Sequence, residues 1–205
     1  MIQRYLVEAR SGMDSQLRQQ LECSGMERNN PTWYEFFAGG GMARLGLGRR
    51  WNCTFSNEWC EKKAASYRAR FGDAELRVCD VASLTPGDLP GAPTLVWGSF
   101  PCQDLSLAGN GAGLEGDRSG TFKPFWELIR GLVRLDRHPQ LIVLENVVGT
   151  LTSHNGKDFG LIVDALAKEG YSVGAMVIDA VRFLPQSRPR LFIVGVHSDT
   201  AFPRR

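Results

Sequence analysis

The sequence predicts an α/β domain built on a doubly wound sheet of seven strands, in which the last strand runs antiparallel. Two observations predict this fold. From Thr32 onwards, short apolar runs alternate with amphipathic segments of helix length, as in parallel α/β sheets. The last two strand-like runs, 171–180 and 190–196, are separated by only about nine residues, too few for a crossover helix, so they should pair as a hairpin.

Each element follows from its local pattern. The predicted strands are 33–38, 53–58, 75–78, 94–98, 140–146, 171–180 and 190–196. The predicted helices between them are 42–50, 59–72, 121–136 and 156–170. The run 140–146 is almost wholly apolar, as expected in the middle of a parallel sheet. Residues 99–120 form a long loop rich in Gly, Ser and Asp, and loops of that length are usually functional.

The N-terminal region has a different character. Residues 1–31 are polar, and Met13, Leu17 and Leu21 share one helical face, which predicts a short helical extension before a domain at 32–205. No apolar run is long enough to span a bilayer, and the N-terminus lacks the features of a secretory signal. We therefore expect an intracellular protein.

Composition excludes several classes of protein. Apolar residues make up 43% and charged residues 22%, which excludes a disordered tail, a collagen-like fibre and a coiled coil. The net charge of +2 says little about partners. The five cysteines include no C-x-x-C pair and the three histidines are scattered, so we expect reduced thiols, most of them in the core, and no zinc site.

Glycine and acidic side chains stand where the first three strands end. Gly39, Gly40 and Gly41 follow strand 1 and would let the backbone approach a ligand at a helix N-terminus. Glu58 lies 19 residues beyond Gly39, at the end of strand 2, where a carboxylate can accept hydrogen bonds from ribose hydroxyls. Trp59 could stack on a purine, and Asp80 could accept from an exocyclic amine. Together they favour an adenosine-containing cofactor, either NAD or S-adenosylmethionine.

Reactive side chains follow the later strands. Cys102 stands behind a proline in a polar loop, and a nucleophilic thiolate there needs nearby positive charge. Arg188 and Arg190, at the start of strand 7, are candidates for that charge. Glu145 ends an apolar strand, where burial would favour its protonated form, and a carboxylic acid in that state can protonate a ring nitrogen.

These motifs, in this order, resemble the cytosine-5 DNA methyltransferases. The matching segments are FAGGG (37–41), NEW (57–59), the strand-3 Asp80, GSFPCQDLS (98–106), DRSGTF (117–122), ENV (145–147) and QSRPR (186–190). The resemblance covers residues 33–198 and implies a Rossmann-like methyltransferase sheet that uses S-adenosylmethionine. Glu35 stands where the family more often has Asp.

The resemblance also implies a role for each matched residue. Cys102 would attack C6 of a flipped-out cytosine, while Glu145 would hold and protonate N3. Arg190 would contact the cytosine O2, and Arg188 the neighbouring phosphate or the thiolate loop. The cofactor residues implied are Phe37, Gly39, Gly41, Glu58, Trp59, Asp80, Val81 and Ser99. The base-pocket residues implied are Phe100, Pro101, Gln103, Ser106, Asn146 and Gln186.

The family pattern is incomplete in this sequence. The family normally continues with a variable DNA-recognition region and a last motif that completes the cofactor site, and neither is found here. We therefore expect the catalytic part of a two-part or truncated enzyme, with DNA and a second recognition chain as partners. An exposed face should mark where the missing part docks.

Three alternatives remain at this stage. A tRNA-methylating branch of the same family uses the same motifs. A non-catalytic, regulatory member is disfavoured because both Cys102 and Glu145 are present. An unrelated nucleotide-binding oxidoreductase would account for Glu58 but would leave the P-C-Q, E-N-V and Q-S-R-P-R segments unexplained.

Overall fold

A mixed seven-stranded sheet forms the centre of the protein. The computed structural model describes residues 30–101 and 120–200, so the predicted N-terminal helix lies outside the described residues. The strands are β1 (Thr32–Phe36), β2 (Asn52–Glu58), β3 (Leu76–Val78), β4 (Leu95–Gly98), β5 (Leu141–Val147), β6 (Tyr171–Asp179) and β7 (Pro189–His197). The α-helices within the described ranges are α1 (Met42–Leu47), α2 (Glu61–Phe71), α3 (Phe122–Arg134) and α4 (Lys157–Lys168).

The strand order confirms the predicted fold and adds one detail. The order is β3-β2-β1-β4-β5-β7-β6, with parallel pairing from β3 through to β5. The last strand, β7, is antiparallel to both neighbours and is inserted between β5 and β6. The carboxyl ends of β1 to β5 and the start of β7 therefore meet at one edge of the sheet, which we call the upper edge. The opposite edge is called the lower edge.

Helices cover the two faces unequally. On one face, α3 and α4 pack over the main hydrophobic cluster, which includes the buried side chains Phe125, Ile129, Leu144, Ile162 and Ile193. On the other face, α1 lies over a smaller cluster around Trp33 and Leu95. Both predictions, helices on each face and an antiparallel last pair, are confirmed.

Beyond β4, the described helices leave one face of the sheet uncovered. Its side chains are half-buried or exposed, and we call this surface the open face: Leu141, Val143, Glu145, Met176, Arg190, Phe192 and Val194. On the same strands, the alternate side chains that point towards α3 and α4 are buried, since successive residues of a strand face opposite sides. The two faces of β5 and β7 thus differ sharply in burial.

Candidate active site

The carboxylate of Glu58 fixes the turn between β1 and α1. Its Oε2 accepts from the Gly39 N–H at 2.7 Å, and its Oε1 accepts from the Cys60 N–H at 2.7 Å. Glu58 is buried at the end of β2. A carboxylate oxygen has two lone pairs, so Glu58 keeps acceptor capacity on the ligand side. The predicted ribose contact is therefore compatible with a second role, which is to fix the glycine turn.

Positions 39 and 41, both predicted to contact the cofactor, require glycine for different reasons. Gly39 has φ +57 and open space where a Cβ would stand, as expected beside a ligand cleft. Gly41 has φ +80, and a Cβ there would lie 2.5 Å from the Phe71 ring, so its small size is required by packing against α2. Gly41 is not among the residues that line the cleft described below.

The side chains after β2 and β3 point to different environments. Trp59 is 75% exposed and leaves its indole face free for stacking. Asp80 accepts from the Ala82 N–H at 2.9 Å and so caps the short helical turn that follows β3. Val81 was also assigned to the cofactor, but its side chain is buried in the main cluster, so only its backbone can face a ligand.

A cleft of about 560 Å³ opens at the upper edge, between the glycine turn and the open face. Five predicted residues line it: Phe37, Gly39, Ser99, Glu145 and Arg188. Sequence reasoning did not assign the other large side chains in its wall to the site: Glu35, Met42, Trp97 and Phe192. The cleft therefore joins three of the predicted cofactor residues to two of the predicted catalytic residues, whereas Glu58, Trp59 and Asp80 do not line it.

Glu145 and Arg190 form an ion pair in the site. Arg190 Nε lies 3.0 Å from Glu145 Oε1, and their side chains are 22% and 23% exposed, respectively. The expectation that Glu145 is deeply buried was wrong, because the open face above β5 has no described cover. The pairing itself was not predicted; it follows from the antiparallel register, which sets Arg190 opposite Val147, two residues from Glu145.

Asn146 connects β5 to the segment that leads to the predicted nucleophile. It is buried, its Nδ2 donates to the Phe100 carbonyl at 3.2 Å, and its Oδ1 accepts from the Val147 N–H at 2.8 Å. Phe100 itself packs in the core, with its ring 5.3 Å from that of Phe122. Neither side chain lines an open base pocket as predicted. Both instead hold the backbone just before Cys102.

Pro101 is exposed at the end of the described segment. Cys102, Gln103 and Ser106 lie outside the described residues. Of the other cysteines, Cys53 is buried, Cys79 is half-buried and Cys60 is exposed, and all three are free thiols. Cys60 therefore does not fit the expectation of a core residue.

The segment Gln186–Arg190 is organised by Asp179, which sequence reasoning missed. Its carboxylate accepts from the Arg188 N–H at 2.7 Å, the Ser187 hydroxyl at 2.9 Å and the Val181 N–H at 3.1 Å. These hydrogen bonds, first of all those from the backbone, lower the pKa of Asp179. Gln186 and Arg188 are exposed, so both are accessible to a large ligand. The sequence signal that could have identified Asp179 is an acidic residue at the end of a predicted strand.

Glu35 is the second residue that was missed as a site residue. It is 2% exposed beneath α1, and its Oε2 has no hydrogen-bond partner. Burial raises the pKa of Glu35 to about 7, although the N–H groups and charge of Arg44 oppose the shift. A carboxyl with such a pKa beside a cleft is typical of functional sites. The signal in the sequence was a lone charge inside the apolar run 33–38.

The fold and the site together define a Rossmann-like domain of the methyltransferase type, with a ligand cleft beyond the carboxyl ends of its parallel strands. The chain belongs to the C-5 cytosine-specific DNA methylase family, whose model matches residues 32–203. Members of this family use S-adenosylmethionine as the methyl donor and act on DNA.

Known proteins are similar over most of this chain but are about twice as long. The type II methyltransferase M.BsuFI of Bacillus subtilis is 38% identical over 170 residues, which is 82% of this chain and 40% of that protein. M.NgoBI of Neisseria gonorrhoeae is 34% identical over 171 residues, again 82% of this chain and 51% of the relative. The chain thus spans about half the length of these curated relatives.

Solved structures show the same fold. The Dnmt2 methyltransferase of S. pombe superposes with a TM-score of 0.68 at 20% identity, covering 84% of this chain and 52% of that one. The Entamoeba histolytica methyltransferase EhMeth gives a TM-score of 0.65 at 20% identity, covering 87% and 56%. Among the described residues, no helix is both long and apolar enough to cross a membrane.

Proposed function

We propose that this chain is the catalytic part of a DNA (cytosine-5-)-methyltransferase. The observation that carries the proposal is that three features meet at the upper edge of the sheet. These are the glycine turn after β1, the Glu145–Arg190 ion pair, and the backbone that Asn146 holds just before Cys102. One group for the cofactor, one for the base and one for the nucleophile thereby meet at the upper edge.

The cleft and the neighbouring end of β2 together offer groups suited to S-adenosylmethionine. Phe37 and Gly39 line its wall, Glu58 retains acceptor lone pairs for ribose hydroxyls, and exposed Trp59 offers a face for the adenine. Gly39 leaves room for close approach of the backbone. When bound, the cofactor supplies the methyl group as an electrophile at its sulfonium centre.

The chain's own residues would make a cytosine ring reactive. Arg190 would orient the Glu145 carboxyl through the 3.0 Å contact. In its protonated form, Glu145 would hold the base at N3 and give it a proton, which returns to Glu145 when the thiolate leaves. Protonation at N3 makes C6 electrophilic. The Cys102 thiolate forms a bond to C6, and the electron pair released to C5 takes the methyl group. Loss of the C5 proton then expels the thiolate and restores the aromatic ring.

The open face is the surface on which we expect a second part of the protein to dock. Met176 extends this face onto β6, and the exposed apolar side chains Val181, Phe183 and Leu184 follow β6 in the chain. Exposed apolar side chains in such number mark an interaction site. Because the chain spans about half of its relatives, we assign this surface to the remaining half, which would carry DNA recognition and close the cofactor cleft.

The test is transfer of labelled methyl from S-adenosylmethionine to mixed-sequence duplex DNA, with tRNA as a parallel substrate. The chain is assayed alone and together with the C-terminal half of M.BsuFI supplied as a separate polypeptide. We expect transfer to DNA chiefly in the mixture. Glu145→Gln should lower the rate by a factor on the order of 10²–10⁴, because general acid catalysis is lost.

The nucleophile is tested with a matched pair of variants. Cys102→Ser should abolish transfer, and Cys60→Ser, which alters an exposed free thiol, should retain it. DNA containing 5-fluorocytosine should form a stable adduct with the second variant only, since fluorine cannot leave as the C5 proton does. Transfer that survives in Cys102→Ser would overturn the covalent step, and transfer to tRNA alone would overturn the assignment of DNA.

A further inference from the structure

Two histidines that are 59 positions apart in the sequence meet at the lower edge of the sheet. His138 precedes β5 and His197 ends β7, and the antiparallel pairing of these strands brings them together. Their ring centroids are 3.8 Å apart with an interplanar angle of 30°. Tyr171, at the start of β6, packs edge-on against the His197 ring, with centroids 5.0 Å apart. The pair therefore occupies a defined place in the fold.

Carboxylates flank both rings. Asp199 Oδ2 lies 3.6 Å from His197 Nδ1, and Asp136 Oδ1 lies 3.9 Å from His138 Nδ1. One donor atom from each of His138, His197 and Asp199 falls within 4.8 Å of the other two. The Asp199 N–H donates to His197 Nδ1 at 3.3 Å, so a metal bound at this nitrogen would replace that hydrogen bond.

The chemistry of the donor atoms suits a metal ion. Two imidazoles and a carboxylate are a donor set typical of zinc and of the neighbouring divalent first-row metals.

We propose that His138, His197 and Asp199 form a binding site for a divalent first-row transition metal of the zinc class. Stacked rings do not aim both lone pairs at one point, so binding turns the half-exposed His138 ring out of the stack. Water completes the coordination shell. Sequence spacing did not indicate this site, because strand pairing rather than spacing brings the three residues together.

The site is structural and separate from the cleft. β5 has seven residues, so the two edges of the sheet are about 20 Å apart along this strand. A bound metal links the segment before β5 to the segment after β7, and it stabilises the folded state by binding that state alone. It takes no part in the chemistry proposed for the upper edge, so the two proposals succeed or fail independently.

The test is a Co²⁺ and Zn²⁺ titration of chelator-treated protein, followed by visible absorption and thermal unfolding. We expect one Co²⁺ per chain with d–d bands of nitrogen and oxygen ligation, and a rise in Tm with Zn²⁺. Asp199→Asn should weaken binding by at least about tenfold. His138→Ala should abolish it, and since this side chain is half-exposed the variant should fold.

The third histidine supplies the matched control. His154 Nδ1 contacts Asp158 Oδ2 at 2.8 Å, and His154→Asn keeps a donor at that position, so metal binding should be unchanged. Near-ultraviolet circular dichroism of each metal-free variant checks that the fold is intact. A thiolate-to-cobalt charge-transfer band, binding that persists in His138→Ala, or no binding by the unaltered chain would each overturn the proposal.

Discussion

The two faces of β5 and β7 are built from the same strands yet have opposite environments. On the face towards α3 and α4, Leu144 and Ile193 are almost completely buried. On the open face, Val143 and Phe192 are half-exposed, and the charged pair Glu145–Arg190 stands among them. A sheet can hold both because successive side chains point in opposite directions.

The contrast separates stability from function within single strands. The covered face holds the sheet to its helices, and its buried side chains on β5 and β7 are apolar apart from Asn146. The open face offers a charged pair and large apolar rings to whatever binds there. The two acidic residues on this side of the sheet differ in the same way. Glu35, on β1, is covered by α1, whereas Glu145, on β5, is accessible.

The strongest test of the contrast compares two leucines of β5. Leu144→Ala should lower the free energy of unfolding by about 2–5 kcal/mol, because it leaves a cavity in the main cluster. Leu141→Ala, on the open face, should cost about 1 kcal/mol, since part of its surface already contacts water. Urea denaturation of both variants measures the difference. Equal losses would show that the open face is covered in solution.

A second test changes the covered carboxyl. Because the pKa of Glu35 is raised to about 7, the folded state holds a proton that the unfolded state has released. Stability therefore falls as pH rises from the ordinary value of 4.5 through 7. Glu35→Gln should remove this dependence and be more stable than the parent at pH 8 by about 3 kcal/mol. If the free energy of unfolding changes with pH in the same way for parent and variant, the pKa of Glu35 is not raised in the folded state.

The smallest effect on stability is expected at the exposed edge. Phe183→Ser should change the free energy of unfolding by no more than about 0.5 kcal/mol, because its side chain is 77% exposed. It should nevertheless weaken association with the C-terminal half of M.BsuFI, measured by calorimetry. Lys62→Ser, an exposed change on α2, is the control and should leave association intact. If both variants bind alike, this surface is not the docking site.

Sequence patterns predicted the sheet well because strand periodicity and spacing are local. The short link before 190–196 was enough to predict an antiparallel end, and the apolar run 140–146 predicted an interior strand. β5 is interior, but it is the last of the parallel strands and not the middle of a parallel sheet. Glu58, Glu145 and Arg188 were predicted as site residues because each stands at a strand end. The insertion of β7 between β5 and β6 was not predicted, since strand order depends on long-range pairing.

Other features depend on which side chains the fold leaves uncovered. The partial exposure of Glu145, the orphaned oxygen of Glu35 and the role of Asp179 in holding the 186–190 segment are set by packing across elements. Phe100, Val81 and Asn146 were assigned to the site from the sequence motifs, but their side chains face the interior. A motif specifies residue identity, whereas the direction of each side chain depends on the neighbouring strands and helices.

The position of β7 also dictates an order of assembly. β6 pairs only with β7 in the described sheet, so it finds no partner until residues 189–197 have left the ribosome. Pairs such as Leu141 with Val196 close long chain segments, and contacts of this kind slow folding. During synthesis β5 and β6 therefore both lack this shared neighbour until β7 is complete, and the antiparallel end of the sheet cannot form before then.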